Sequence, residues 1–108
     1  MSFRTGWILD SACSYHMCPH REWFATYEPL NGGSVSMGND KKCRVVGIGI
    51  IRFRMFDGIV RTLTDVRHVV ELKKNLISFK ALDRKGYKFV THSYQIKVFR
   101  GSLCVIVD

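Results

Sequence analysis

The sequence predicts a mainly β domain, a small closed or partly closed barrel or a sandwich, with one short helix near residues 78–85. Short apolar runs recur along the chain, turn-forming residues separate them, and only one segment has helical spacing. The chain has 108 residues, of which 46% are hydrophobic. This size suits one packed core and leaves no room for a second. We therefore expect residues 1–108 to form a single domain.

The N-terminal third predicts one strand followed by irregular structure. Residues 6–9 form a short apolar run that ends at Asp10, as a buried strand would. Residues 11–23 are small and polar and contain Pro19, so we expect a loop. Residues 23–33 carry aromatic side chains and then a Pro and Gly-Gly break. They predict an irregular segment or a single helical turn.

The middle of the chain predicts two hairpins. Residues 34–37 alternate in polarity, and Gly38-Asn39-Asp40 is a turn signal. The run 41–56 then alternates apolar residues with Arg52 and Arg54, which is the period of a half-buried strand. Glycines inside it suggest a bulge, a bend or a close backbone approach; they are Gly47 and Gly49. Residues 56–58 predict the next turn, and residues 59–70 another strand.

The C-terminal third predicts the helix and a meander. Ser78 can cap the helix, Phe79 and Leu82 share one face, and Gly86 can end it. Three short strand candidates follow, at residues 87–90, 94–99 and 103–107.

Charge and cysteine content give expectations about partners and location. The formal net charge is +8, from 17 Lys and Arg against 9 Asp and Glu, but the cations are scattered. They predict a solvated basic surface, with nucleic acid or an acidic partner as the alternative. Residues 1–7 lack the apolar core of a signal peptide, so we expect four free thiols in a reducing compartment, cytoplasmic or nuclear. No run approaches the roughly 20 apolar residues that cross a bilayer, so we expect no membrane partner.

Asp10 is the first candidate catalytic residue. It ends an apolar strand and precedes Ser11 and Ala12, two small residues. Aspartic peptidases place two such carboxylates on facing tight loops, where the pair shares one proton and activates a water. The alternative is a strand-ending Asp that caps its own turn.

The stretch WILDSACSYHM, from Trp7 to Met17, resembles the protease region of copia-type retrotransposon polyproteins. The resemblance continues through GGSVSMGNDKKCRVVGIGIIRF, VRTLTDVRHV and LKKNLISFKALDRKGYKF, and it covers nearly the whole chain. It implies a retroviral-type aspartic protease, a β-barrel that works as a homodimer on polyprotein peptides without a cofactor.

By this resemblance, Asp10 would be the catalytic carboxylate, Ser11 its loop hydroxyl, and Ala12 the position usually held by Gly. The hairpin Gly38-Asn39-Asp40 would form the flap over the substrate, with residues 47–49 as the alternative flap tip. NLISFKAL would match the segment that enters the family's single helix. All three assignments are expectations from the resemblance.

Three departures from that family favour a second hypothesis, a non-catalytic monomeric β-barrel interaction module. Ala12 replaces Gly, only nine residues precede Asp10, and the tail from Tyr87 carries extra strand. The extra strands could close the barrel within one chain. The partner of such a module could be protein or, given the charge, nucleic acid.

A cluster of Cys and His residues, the Cys and His knot, follows Asp10 in the sequence. Its four zinc-type ligands within eight residues are Cys13, His16, Cys18 and His20. Tetrahedral zinc sites usually draw pairs from separate segments, so loop and core roles are the main interpretation. Cys13 could instead be a nucleophile with His16 or His68 as its base.

A basic aromatic platform is a weaker interpretation. It would combine Arg52, Phe53 and Arg54 with Tyr15, Trp23 and Phe24, although strand alternation explains Phe53 as core.

Overall fold

The computed structural model of the chain describes residues 6–36, 41–54, 60–92, 95–101 and 103–107. It contains one turn of 3-10 helix at Arg21–Trp23 and one α-helix, α1, at Phe79–Arg84. The strands, in chain order, are β1 Trp7–Asp10, β2 Met17–Cys18, β3 Phe24–Ser36, β4 Lys42–Arg54, β5 Val60–His68, β6 Asn75–Ser78, β7 Tyr87–His92, β8 Gln95–Arg100 and β9 Leu103–Val107. The domain is mainly β with one short helix, as the sequence predicts.

The strands form two sheets. The first has the order β1-β6-β2-β5-β4-β3, and the second has the order β7-β8-β9. Two pairs are parallel, β1 with β6 and β2 with β5, and the remaining pairs are antiparallel. Over the described residues both sheets are open, because β1 and β3 end the larger sheet without pairing to each other. The closed barrel of the sequence prediction is therefore not observed in this part of the chain.

The predicted helix forms, but the strand that enters it was not predicted. The side-chain oxygen of Ser78 accepts a hydrogen bond from the Ala81 amide at 3.0 Å, which caps α1. Gly86 has φ +86° just past the helix, where a residue with a Cβ would be strained. The four residues of β6 are all buried, so this strand lies inside the sheet. Its apolar pair Leu76-Ile77 fits helix or strand equally well by sequence, and tertiary pairing decides it.

Residues Phe24–Ser36 form the edge strand β3, so the irregular segment predicted for residues 23–33 was wrong, whereas the alternating strand predicted from residue 34 is confirmed for residues 34–36. β3 pairs with β4 in three registers, which change between Phe24 and Thr26 and again between Pro29 and Gly33, and the second change accommodates the Pro and Gly residues. An edge strand tolerates Pro29 because its missing N–H need not face a neighbouring strand. The loop predicted for residues 11–23 also contains the short strand β2 and the 3-10 turn.

The two glycines of β4 lie under side chain and backbone of β3. A Cβ on Gly47 would overlap the Tyr27 ring, and one on Gly49 would overlap the Thr26 carbonyl oxygen. Gly49 therefore requires glycine for a close backbone approach, which is one of the three alternatives that the sequence left open, whereas at Gly47 the Tyr27 side chain would have to move.

A β-bulge distorts β5 opposite these glycines. Between the pairs Gly49–Val66 and Ile51–Leu63, β5 has two residues where β4 has only Ile50. One of the two, Asp65, has φ 57° and is the only non-glycine residue with positive φ in the described ranges. Aspartate tolerates this conformation better than most residues.

The core consists of two clusters of buried side chains. One joins the larger sheet to the helix and to β8, through Trp7, Cys18, Phe24, Ile51, Leu63, Val66, Ile77, Leu82 and Val98. The other lies nearer the Asp10 loop and contains Cys13, Met17, Val35, Cys43, Val45, Val69 and Leu76. Among the described residues, no helix has the length and hydropathy needed to cross a membrane.

The three predicted C-terminal strands are observed as β7, β8 and β9. The hairpin turn predicted at Gly38-Asn39-Asp40 lies outside the described residues, although Ser36 pairs with Lys42 on either side of it. The turn predicted at residues 56–58 also lies outside them.

Candidate active site

Asp10 ends β1 with its carboxylate turned back onto its own loop. The Oδ1 atom accepts hydrogen bonds from the amide of Ala12 at 2.7 Å and from that of Cys13 at 3.3 Å. The carboxylate is half-buried, whereas Ser11 and Ala12 are exposed. The loop therefore orients the carboxylate and presents two small residues at the surface.

The end of β6 fixes this loop from the other side. Asp10 and Ser78 are register partners in the parallel pair of β1 and β6. The Ser78 hydroxyl donates to the Cys13 carbonyl oxygen at 2.7 Å while it accepts the helix-capping bond. One buried hydroxyl thus ties the Asp10 loop to the start of α1, which is a link that no sequence pattern indicated.

Ala12 does not need to be glycine in this loop. Asp65 is the only described non-glycine residue with positive φ, so Ala12 lies in the ordinary region of backbone conformation. The methyl group of Ala12 therefore carries no left-handed strain, and this departure from the family pattern has no conformational cost.

His16 supports the loop as a neutral side chain. It is buried, and its Nδ1 accepts a hydrogen bond from the Ser78 amide at 2.9 Å. Burial first, and then the nearby positive charge of Lys85, lower the pKa of His16 from 6.5 to about 4. Because Nδ1 is an acceptor here, the ring proton of the neutral form is on Nε2.

The other members of the Cys and His knot have separate partners. Cys13 Sγ contacts the Asp10 carbonyl oxygen, and Cys18 Sγ donates to Asn75 Oδ1 at 3.2 Å. His20 is partly exposed and stacks on Trp23, with ring centroids 4.7 Å apart. Within the described ranges no three His, Cys, Asp or Glu side chains converge on a metal position.

A Cys13 nucleophile does not fit this geometry. Burial first, and then the charge of Asp10, raise the pKa of the Cys13 thiol to about 11, so it stays protonated near neutral pH. Neither candidate base is available in its neutral form. His16 Nδ1 accepts from Ser78, and the His68 ring contacts Tyr27 at Nδ1 and the Pro19 carbonyl at Nε2.

The predicted flap has two outcomes. Its preferred residues, Gly38, Asn39 and Asp40, lie outside the described part of the chain. The alternative tip at residues 47–49 is wrong, because this segment lies inside β4 with β3 on one side and β5 on the other. A strand paired on both sides cannot be the tip of a hairpin.

A cavity that the sequence did not indicate lies beside His16. This basic cavity has a volume of about 230 Å³, and the polar residues that line it are Tyr15, Thr64, Asp65, Arg67, Arg84 and Lys85. They come from the Asp10 loop, from β5 and from the end of α1. Because the three segments are remote in sequence and the cations are scattered, no local motif predicts the cavity.

Comparison with known proteins identifies the origin of this fold. Residues 7–87 match the family model described as the Pol polyprotein β-barrel domain. The chain therefore belongs to the Pol polyprotein β-barrel domain family. It is 39% identical over 99 residues to the retrovirus-related Pol polyprotein from transposon TNT 1-94 of Nicotiana tabacum. That similarity covers 92% of this chain and 8% of the relative, so the chain spans a small part of that polyprotein's length. No solved structure matches the chain.

The family match confirms the predicted origin in a retrotransposon Pol polyprotein. For this Pol β-barrel domain, the matched region extends from β1 to the first residue of β7. It contains the Asp10 loop, β6 and α1, and it stops before the remainder of the three-stranded sheet.

Proposed function

We propose that this Pol β-barrel domain is an aspartic endopeptidase assembled from two copies of the chain, each of which contributes Asp10. The supporting observation is the Asp10 loop itself. A carboxylate at the end of a core strand is oriented by two amides of its own loop, and the small residues beside it are exposed. Such a loop can approach a second copy closely, as a shared-proton pair of carboxylates requires.

In the proposed dimer, the two Asp10 carboxylates share one proton. The ionised carboxylate acts as general base on a water molecule, and the protonated one donates a hydrogen bond to the scissile carbonyl. The amides of Ala12 and Cys13 hold each carboxylate in place, and the Ser11 hydroxyl bonds the opposing loop. The substrate is an extended peptide of the polyprotein, held against the strands, and no cofactor takes part.

The test is cleavage of a peptide library at mildly acid pH by wild type and by Asp10→Asn. Asp83→Asn, which changes an exposed carboxylate on α1, is the matched control. We expect cleavage by wild type and the control and none by Asp10→Asn, with a bell-shaped pH profile because the two acids titrate as a coupled pair. Identical behaviour of wild type and Asp10→Asn would refute the proposal.

A second candidate is a monomeric, non-catalytic interaction module. It is favoured by the fact that the Asp10 carboxylate already caps its own loop, which is a complete structural role within one chain. The mass in solution separates the candidates, because the peptidase requires a dimer and the module does not. In both candidates we propose an intracellular, reducing location, since the described cysteines Cys13, Cys18 and Cys43 are free and buried.

A further inference from the structure

The basic cavity beside His16 has an excess of positive charge. Its lining carries Arg67, Arg84 and Lys85 against one carboxylate, that of Asp65. Lys85 Nζ lies 3.4 Å from Asp65 Oδ2 and also bonds the Thr64 hydroxyl, so this carboxylate partly neutralises Lys85. The two guanidinium groups are left as the cations that face an incoming ligand.

Both arginines are held in place by main-chain acceptors. Arg67 donates from Nη1 to the Asp65 carbonyl oxygen at 2.8 Å, and Arg84 donates from Nη2 to the Ser14 carbonyl oxygen at 2.7 Å. A guanidinium has five N–H donors, so each keeps further donors for a ligand. Donors fixed in this way lose less conformational entropy on binding, and their fork geometry matches the oxygens of a phosphate group.

An aromatic ring stands at the rim of the same cavity. Tyr15 is 39% exposed, and the Arg67 guanidinium lies 3.9 Å from its ring centroid. Arg84 lies 5.9 Å from the same centroid. An exposed ring beside fixed arginines is the combination with which proteins bind single-stranded nucleic acid, because bases stack on the ring while cations contact the backbone.

We infer that the basic cavity is a phosphate-binding site that takes a backbone phosphate of single-stranded nucleic acid, with a neighbouring base stacked on Tyr15. The net charge of +8 favours a polyanion over a single small anion, because it attracts the whole strand toward the protein. An acidic peptide would satisfy the arginines but would supply no base to stack on the exposed part of the Tyr15 ring that Arg67 leaves uncovered. The site contains neither Asp10 nor the flap residues, so it does not depend on the proposed peptidase activity.

The test measures binding of the full chain to a fluorescent oligothymidylate of about 12 nucleotides by fluorescence anisotropy, over a range of salt concentrations. We expect Arg84→Gln to weaken binding about five- to tenfold and to make the salt slope shallower by about 0.7, the value for one lost single-strand phosphate contact. Arg52→Gln, at an exposed position of β4 that does not line the basic cavity, is the matched control and should weaken binding less than about twofold. If Arg84→Gln loses its folded circular dichroism spectrum, Arg67→Gln, which removes the other guanidinium of the cavity, replaces it.

Two further arms separate the sources of the phosphate and the class of ligand. Tyr15→Leu should weaken oligothymidylate binding without changing the affinity for inorganic phosphate, because only the strand has a base to stack. The inference fails if Arg84→Gln and Arg52→Gln weaken binding equally, or if Tyr15→Leu leaves oligothymidylate binding unchanged. It also fails if inorganic phosphate or a polyglutamate peptide binds as tightly as the oligothymidylate with the same dependence on Arg84.

Discussion

Acidification should destabilise the domain through His16. The unfolded chain protonates this side chain near 6.5, whereas in the folded state its pKa is lowered to about 4. Between these two values the unfolded state binds one proton more than the folded state, so the free energy of unfolding falls as the pH falls. The physical causes are burial of the ring and then the positive charge of Lys85, with smaller contributions from Arg84 and Arg67 and partial opposition from Asp65.

The size of the effect follows from the shift. Each pH unit in this window removes about 1.4 kcal/mol, so acidification from pH 7 to 4.5 should remove about 2.5 kcal/mol through His16 alone. His16→Asn keeps an acceptor near the position of Nδ1 and removes the titration. The contribution of His16 is therefore the difference in pH dependence between wild type and His16→Asn, which cancels the carboxylates common to both.

The assay is urea unfolding at several pH values, with His20→Asn as the control that removes a partly exposed imidazole. We expect wild type and His20→Asn to lose stability on acidification more steeply than His16→Asn. Equal pH dependence in wild type and His16→Asn would refute the claim that His16 is folded as a buried neutral acceptor.

Three further predictions concern the packing of β4, the Ser78 hydrogen bonds and the thiols. Gly49→Ala should lower the free energy of unfolding, measured in urea, by about 2 kcal/mol or more, because the new methyl group meets the Thr26 backbone. The control Gly33→Ala makes an ordinary 3.6 Å contact with Val45 and should change this free energy by less than about 1 kcal/mol, so equal losses would contradict the close approach. Ser78→Ala should lower the free energy of unfolding by about 2 kcal/mol, because the Cys13 carbonyl and the Ala81 amide both lose their hydrogen-bond partner. The control Ser34→Ala, at an exposed position, should change it little, and an equally small loss in Ser78→Ala would contradict the stabilising role of the Ser78 hydroxyl. Cys13 and Cys18 should resist iodoacetamide near neutral pH until urea is added, since burial raises the pKa of both thiols to about 11; mass spectrometry of the peptides that shows rapid labelling without urea would contradict this.

The sequence predicted most of the fold because its signals are local. Strand β4, the Ser78 cap and the Gly86 stop are indicated by neighbouring residues, and all three are observed. The part of β3 before residue 34 escaped prediction because its Pro and Gly residues are typical of a loop. Only pairing with β4, in a register broken between Pro29 and Gly33, makes the segment a strand.

The candidate site was predictable only in part. Asp10 and its two small neighbours form a local motif, so the sequence indicated them. The Ser78 clamp and the buried ring of His16 join segments more than 60 residues apart, with separations of 65 and 62 residues to their partners. The basic cavity has the same origin, because its arginines come from β5 and α1 and its aromatic ring from the Asp10 loop. Such sites depend on the topology of the fold, which the local patterns of a single sequence do not reveal.

The proposed peptidase requires two Asp10 loops that face each other across a symmetry axis. Disulfide formation under mild oxidation is measured in Ser11→Cys, which places a thiol beside each Asp10. Sedimentation equilibrium gives the mass of the parent chain in solution. Ser36→Cys, at an exposed position on β3, and the parent chain are the controls. For a peptidase dimer we expect a mass twice the 12.4 kDa of one chain and a cross-linked dimer in Ser11→Cys alone. A 12.4 kDa monomer with no cross-link through position 11 would contradict it.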